Sequence, residues 1–181
     1  MSHFSDVKNS FLDFYKDPTR KHAVIEGTPL VALNDPTLLF VNSGMFPLVP
    51  YLSGDVAHPM GKRICNVQRS IRTDPEDFEE IGDKRHTTVF NMLGNWSLGD
   101  YFKKEQLPWV WEFITKELGL KEDKLYVTLF EGNEFVEKDL EAYKIWQSLG
   151  VKDDHIFYYP GKKNWWSRAG TPDQMPVGEI G

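Results

Sequence analysis

Two arginines, a histidine, an aromatic ring and a thioether stand where a phosphate-bearing ligand could use them. Arg72 closes a strand-like run over residues 63 to 72, and Arg85 and His86 open a second one over residues 85 to 92. If the two runs pair, these cations converge at the loop end of a hairpin. Side chains alternate along a strand, so His86, Thr88, Phe90 and Met92 would share one face, and Arg85, Thr87, Val89 and Asn91 the other. A flat ring and a thioether beside a basic end suit a nucleotide, with the base on the ring and the phosphates on the guanidinium groups. Arginine fits the task better than lysine because its planar fork can hold two phosphate oxygens at once.

The same residues also read as plain structure. The connection from Thr73 to Asp83 carries Asp74, Glu76, Asp77, Glu79 and Glu80. The basic residues could simply pair with this acidic loop, while Phe90 packs in a core. Periodicity alone leaves both readings open.

Several elements must hold these residues in place. Val7, Phe11, Phe14 and Tyr15 recur at helical spacing over residues 5 to 16, and Asp17-Pro18 ends the run. Strands are expected over 22–25 and 37–42, with Asn34-Asp35-Pro36 as the turn between them. Residues 104 to 118 place Leu107, Val110, Trp111, Ile114 and Leu118 on one apolar stripe. A strand over 124–130, a helix over 134–148 and a strand over 155–159 follow, then a Gly- and Pro-rich tail from Pro160 that carries Trp165-Trp166. The pairs Gly94-Asn95 and Gly99-Asp100 read as turns leading into the helix at 104. Strands in direct succession favour antiparallel pairing, so the expected class is α+β, with a mostly antiparallel sheet flanked by helices.

Composition bounds the function. The 181 residues are 40% hydrophobic and 14% aromatic, which predicts one compact domain over residues 1–181. A net charge of −6 argues against a chain that mainly coats nucleic acid, though not against a local basic site. No apolar run approaches the roughly 20 residues of a membrane span, and no secretory leader is visible, so a cytoplasmic protein with no membrane partner is expected. Cys65 is the only cysteine. It can form no intrachain disulfide and no thiolate zinc site, and in the run Ile64-Cys65-Asn66-Val67 it reads as a buried structural thiol.

A longer pattern adds a family. The run Arg85-His86-Thr87-Thr88-Val89-Phe90-Asn91-Met92-Leu93-Gly94-Asn95-Trp96-Ser97-Leu98-Gly99-Asp100-Tyr101-Phe102-Lys103 resembles motif 2 of alanyl-tRNA synthetases and the segment after it. In the same order, Asn34 to Met45 resembles the segment around motif 1, and Gln68-Arg69-Ser70-Ile71-Arg72 the opening of motif 2. Asp77 to Gly82 resembles the motif 2 loop, and Asn164-Trp165-Trp166 with Glu179 a later Asn-Phe-Trp to Glu segment. The resemblance covers nearly the whole chain.

It implies a class II synthetase sheet and an ATP-dependent ligase that activates alanine to alanyl-adenylate, then passes it to tRNA(Ala). Arg72 matches the arginine on the α-phosphate, a catalytic position whose task is to stabilise growing charge. Arg85 and His86 match the basic start of the second strand, near the outer phosphates. Phe90 and Met92 match the adenine-side wall, and Trp166 a wall of the alanine pocket. Magnesium is expected with ATP, bridging phosphate oxygens, and zinc is not expected in this part of the family's architecture.

The match has departures. Thr73-Asp74-Pro75-Glu76 shortens the usual Gly- and Lys-containing loop; Val89 and Asn91 stand where Phe and Glu are usual; Ser167 to Pro172 replaces a Gly-Asp-Thr-Gly-Pro-Cys pattern. These fit a divergent bacterial-type branch. On the resemblance, the residues end before motif 3 and before the tRNA-binding, editing and C-terminal regions. Three readings therefore stand: an ATP-dependent ligase core, an ATP-binding module or fold fragment inert without motif 3, and an adenylating protein with another acceptor.

Overall fold

The computed structural model describes residues 4–31, 39–72, 79, 81–84 and 86–165. The chain divides into two compact units, residues 1–101 and 102–181. It mixes helices with small sheets, which agrees with the α+β class expected from the periodicity.

The first unit opens with helix α1 (Phe4–Lys16). Its buried residues Phe11, Phe14 and Tyr15 are spaced three and four apart, as an amphipathic helix requires. Asp6 in the first turn and Lys16 in the last complement the helix dipole. The stop is local: Asp17 Oδ1 accepts the Thr19 N–H at 2.9 Å, and Pro18 follows. The Arg20 guanidinium then folds back over the Phe14 ring, 3.5 Å from its centroid, and donates to the Phe14 carbonyl.

Strand β1 (Ala23–Val24) runs parallel to β2 (Arg63–Ile71), and β2 pairs antiparallel with β3 (Val89–Ser97). Short helix α2 (Val49–Leu52) lies between β1 and β2 in the chain, after a tight turn at Phe46–Leu48. The β2–β3 register sets Arg63 opposite Ser97 and Ile71 opposite Val89. Directly opposed residues share a face. Ile64, Asn66, Gln68 and Ser70 therefore lie beside Trp96, Gly94, Met92 and Phe90, and Cys65 lies beside Asn95 on the other face.

Two expectations shift here. Within 37–42, the described residues form only a bridge between Val31 and Phe40; the expected Asn34–Pro36 turn lies outside the described residues. The second hairpin strand is Val89–Ser97, not 85–92, and Gly94-Asn95 is strand rather than turn. The reason is packing. A Cβ on Gly94 would sit 2.7 Å from the Trp96 ring, so the glycine makes room for an indole folded over the strand. The turn is at Gly99, with φ +67°.

The Cys65–Asn95 face meets α1 through a buried polar chain. The Tyr15 carbonyl can only accept, so His22 Nδ1 donates to it at 3.2 Å. His22 Nε2 then accepts from the Tyr101 hydroxyl at 2.7 Å, and that hydroxyl accepts from Asn95 Nδ2 at 2.9 Å. Burial pushes His22 down to about 4 and Tyr101 up to about 12. A neutral folded-state His22 has a pH consequence. The unfolded chain takes up the proton near pH 6.5 and the folded one only near 4, so stability is full above 6.5 and falls as pH drops between these values. The loss from this residue is about 3 kcal/mol at most. Urea midpoints at pH 7.5 and 4.5, compared between the parent and His22→Gln, check this. The variant should lose less on acidification, and equal losses would contradict the assignment.

Cys65 is fully buried and its thiol is pushed up to about 11 by burial. It should resist a thiol reagent at pH 7.5 in the native protein and react promptly in denaturant. Rapid native labelling would contradict the packing.

The second unit is a strand–helix–strand unit with a helix before it. Helix α3 (Lys103–Glu112) continues through a wider turn, Phe113–Glu117. Strand β4 (Val127–Phe130) and strand β5 (Ile156–Tyr159) are parallel and joined through helix α4 (Leu140–Ser148). Leu129, Ala142, Trp146, Val151 and Ile156 form the core, with Leu107, Val110 and Trp111 packed against it. Helix α4 starts six residues later than the periodicity predicts, because Asn133 and Asp139 compete for its backbone. Asn133 Oδ1 accepts the N–H groups of Phe135 and Val136, and Asp139 Oδ1 caps at Ala142. Helix α5 (Gly161–Asn164) closes the described residues with Trp165.

The expected antiparallel pairing holds for β2–β3, the longest pair. The other two pairings are parallel: β4 and β5 need a helical crossover, and β1 is followed by a long connection before β2.

Candidate functional site

The face of β2–β3 away from α1 is polar at its centre. Asn66, Gln68 and Ser70 occupy every second position of β2 and all are buried. Asn66 Oδ1 accepts from Trp96 Nε1 at 3.0 Å. Gln68 works as a clamp on the neighbouring segment. Its Oε1 accepts the Thr28 N–H at 2.8 Å, and its Nε2 donates to the Thr28 carbonyl at 3.0 Å and the Arg69 carbonyl at 2.7 Å. Gly27 permits this approach, since a Cβ there would lie 2.6 Å from the Val67 carbonyl oxygen.

At the far end of this face stands Arg72. Its N–H donates to the Thr88 carbonyl at 2.9 Å, which extends the pairing one step past β2. Its exposed side chain leans over Phe90, with the guanidinium carbon 5.5 Å from the ring centroid. Among the described residues the guanidinium has no ion-pair partner. An exposed guanidinium over a half-buried ring at a strand end can accept an anion in a two-pronged contact.

Met92 lies two residues further along the same face. Its sulfur accepts the Gly44 N–H at 3.1 Å, so it supports the segment after residue 41 from below. His86 sits outside β3, in an exposed turn, and does not join the alternation expected of it. Asp83 takes both its backbone N–H, at 2.9 Å, and its ring Nδ1, at 2.6 Å. For His86 the acidic connection does act as a partner. Arg85 and Trp166 lie outside the described residues, as do the Thr73–Glu76 loop and the residues from 166 onward.

The fold thus brings Arg72, Phe90 and Met92 together and leaves His86 apart. Sequence reasoning overlooked Asn66, Gln68 and Ser70. Their signal was present as a polar residue at alternate positions of a strand, which is unusual for a buried face.

The second half of the longest motif run has a structural role. Ser97 Oγ accepts the N–H groups of Asp100 and Tyr101 and donates to the Tyr101 carbonyl at 2.6 Å. Asp100 pairs with Arg63, whose guanidinium holds this carboxyl below the usual range and also donates to the Arg20 carbonyl. This turn delivers Tyr101 to His22 and so ties β3 to α1.

No described helix is long and apolar enough to cross a membrane, and no described group of three or more His, Cys, Asp or Glu could hold a metal ion.

Comparison with known proteins gives a consistent result. The alanine–tRNA ligase of Treponema denticola is 49% identical over 167 residues, covering 91% of this chain and 27% of that protein. That of Rubrobacter xylanophilus is 42% identical over 177 residues, covering 97% and 20%. The mitochondrial alanine–tRNA ligase of Saccharomyces cerevisiae is 42% identical over 183 residues, covering 96% and 18%. The chain therefore spans between 18% and 27% of the length of these curated relatives. The family model for tRNA synthetases class II (A) matches residues 6–181, nearly the whole chain and all of the polar face just described, and the chain belongs to that family.

Proposed function

We propose that the chain carries the ATP-binding part of an alanine–tRNA ligase catalytic domain. In this reading the alanine carboxylate attacks the α-phosphorus of ATP, pyrophosphate leaves, and the alanyl group then passes to the terminal adenosine of tRNA(Ala). The observation that carries it is the Arg72 guanidinium, poised over Phe90 at the open end of the polar face. Relatives named alanine–tRNA ligase that match across more than nine-tenths of the chain support it.

Each residue has a task. Arg72 neutralises charge on the α-phosphate as the carboxylate attacks, and Phe90 stacks on the adenine. Met92 bounds the adenine side from beneath. Arg85 and His86 face the outer phosphates, and Trp166 walls the alanine pocket. Magnesium enters on the ATP phosphates as part of the substrate. The described residues do not by themselves fit a resident metal. The two units belong to one domain over residues 1–181, and the β2–β3 pair is the part of the larger, mostly antiparallel class II sheet on which ATP lies. The protein works in the cytoplasm.

Pyrophosphate exchange with alanine, glycine and serine tests this reading. Exchange that depends on alanine supports it. ATP binding without exchange for any of the three amino acids would leave an ATP-binding module and overturn the ligase reading for this chain.

A further inference from the structure

Three buried oxygens beside the Arg72 end of β2 have no hydrogen-bond partner among the described residues: Asn42 Oδ1, Ser43 Oγ and Ser70 Oγ. Buried polar groups are almost always satisfied, so three without a partner call for an account. Two contacts fix the path of the segment that carries Asn42 and Ser43 across β2. The Val41 carbonyl accepts from the Ile71 N–H at 3.0 Å. A Cβ on Gly44 would lie 3.7 Å from the Gln68 Cβ and 3.6 Å from the Met92 Cβ. Between these two fixed points, Asn42 and Ser43 pass alongside Ser70. Ser70 is completely buried and stands opposite Phe90 in the register.

A guest here must be small, because all three oxygens are sealed from solvent. It must be able to donate, because the Asn42 amide oxygen only accepts. A neutral guest fits best, because among the described residues no buried carboxylate stands with them to balance a cation. Water satisfies all three conditions and needs two to four polar partners. We propose that Asn42, Ser43 and Ser70 hold a buried water that joins the segment 41–45 to β2. This makes Ser70 a positioning residue: the joint fixes Gly44 on Met92 and steadies the strand end that carries Arg72 and Phe90. The water site stands on geometry alone, and its effect on ATP rests on the proposed function.

The test is a double-mutant cycle on the full chain, Ser70→Ala and Asn42→Ala, read by urea denaturation and by amide hydrogen exchange at Ile71. With a shared water, each single variant is less stable than the parent. The double variant loses less than the sum, because the second change removes a partner from a site already broken. Exchange at Ile71 should quicken about fivefold in Ser70→Ala, the equivalent of one net hydrogen bond. Water–amide magnetisation transfer should show a long-lived water near Ser70 in the parent alone. Single variants that are both more stable than the parent, with additive effects, would overturn the proposal, since that is the signature of deleting an orphan hydroxyl. ATP titration is the separate arm. Weaker ATP binding by Ser70→Ala, with Arg72 intact, supports the positioning role. A confirmed water with ATP affinity unchanged overturns that role while leaving the site in place. Neither readout of the water requires an active enzyme, so failure of the ligase reading is distinguishable from failure of this one.

Discussion

On the proposed function, Arg72→Ala is expected to lower alanine-dependent pyrophosphate exchange by about a hundred- to a thousandfold, the usual cost of losing one preorganised donor aimed at developing charge. The side chain is exposed at the end of β2 and leans on Phe90 rather than on a carboxylate among the described residues. Removing it should therefore cost function far more than stability. Arg72→Lys should recover only part of the loss, because an ammonium keeps the charge without the two-pronged geometry. Phe90→Ala should weaken ATP binding by about 1–3 kcal/mol through lost base stacking. Titration with magnesium and ATP gives the affinities, and circular dichroism confirms that the variants stay folded. An Arg72→Ala protein that binds ATP and exchanges pyrophosphate within twofold of the parent would remove Arg72 from the site.

Gln68→Leu tests the floor of the same face. Leucine has nearly the volume of glutamine, so the change leaves little cavity and isolates the hydrogen bonds. It strands the Thr28 N–H and the Thr28 and Arg69 carbonyls, all of which Gln68 satisfies from a fully buried position. Each stranded group costs about 1–3 kcal/mol, so a loss of about 3–5 kcal/mol is expected after some relaxation. That is a large share of the roughly 5–15 kcal/mol that holds a typical domain together. Urea denaturation should show the midpoint falling with little change in slope. A midpoint shift equivalent to less than about 1 kcal/mol would mean that the Gln68 clamp matters little.

The two variants separate what Arg72 does from what Gln68 does, though they are four residues apart on one strand face. Arg72 should cost activity and Gln68 should cost the fold. Sequence alone grouped Arg72 with His86 as converging cations. They part because Asp83 engages both the backbone and the ring of His86 in a turn before β3 begins. A local carboxylate three residues away forms its bonds at small entropic cost, whereas strand alternation needs a partner strand to enforce it. Phe90 and Met92 kept their expected common face because both lie within the paired register, opposite Ser70 and Gln68.

What the sequence determined by itself was local or cumulative. Helix α1 was legible because Phe11, Phe14 and Tyr15 repeat at helical spacing and Asp17-Pro18 ends the run. The family was legible because a long ordered run of residue types is hard to match by chance, and the comparisons bear it out. Burial of Cys65 was legible from its apolar neighbours. Only the tertiary structure decided the rest. Gly94 reads as a turn until the Trp96 ring is seen lying over it. Asn66 and Gln68 carry no assigned role in the sequence until Trp96 and Thr28 are seen to satisfy them. The parallel pairing of β4 with β5 follows from where α4 crosses. In each case the deciding partner is distant along the chain. Periodicity reports which residues can be buried, and only the folded contact shows what buries them and which polar groups that contact satisfies.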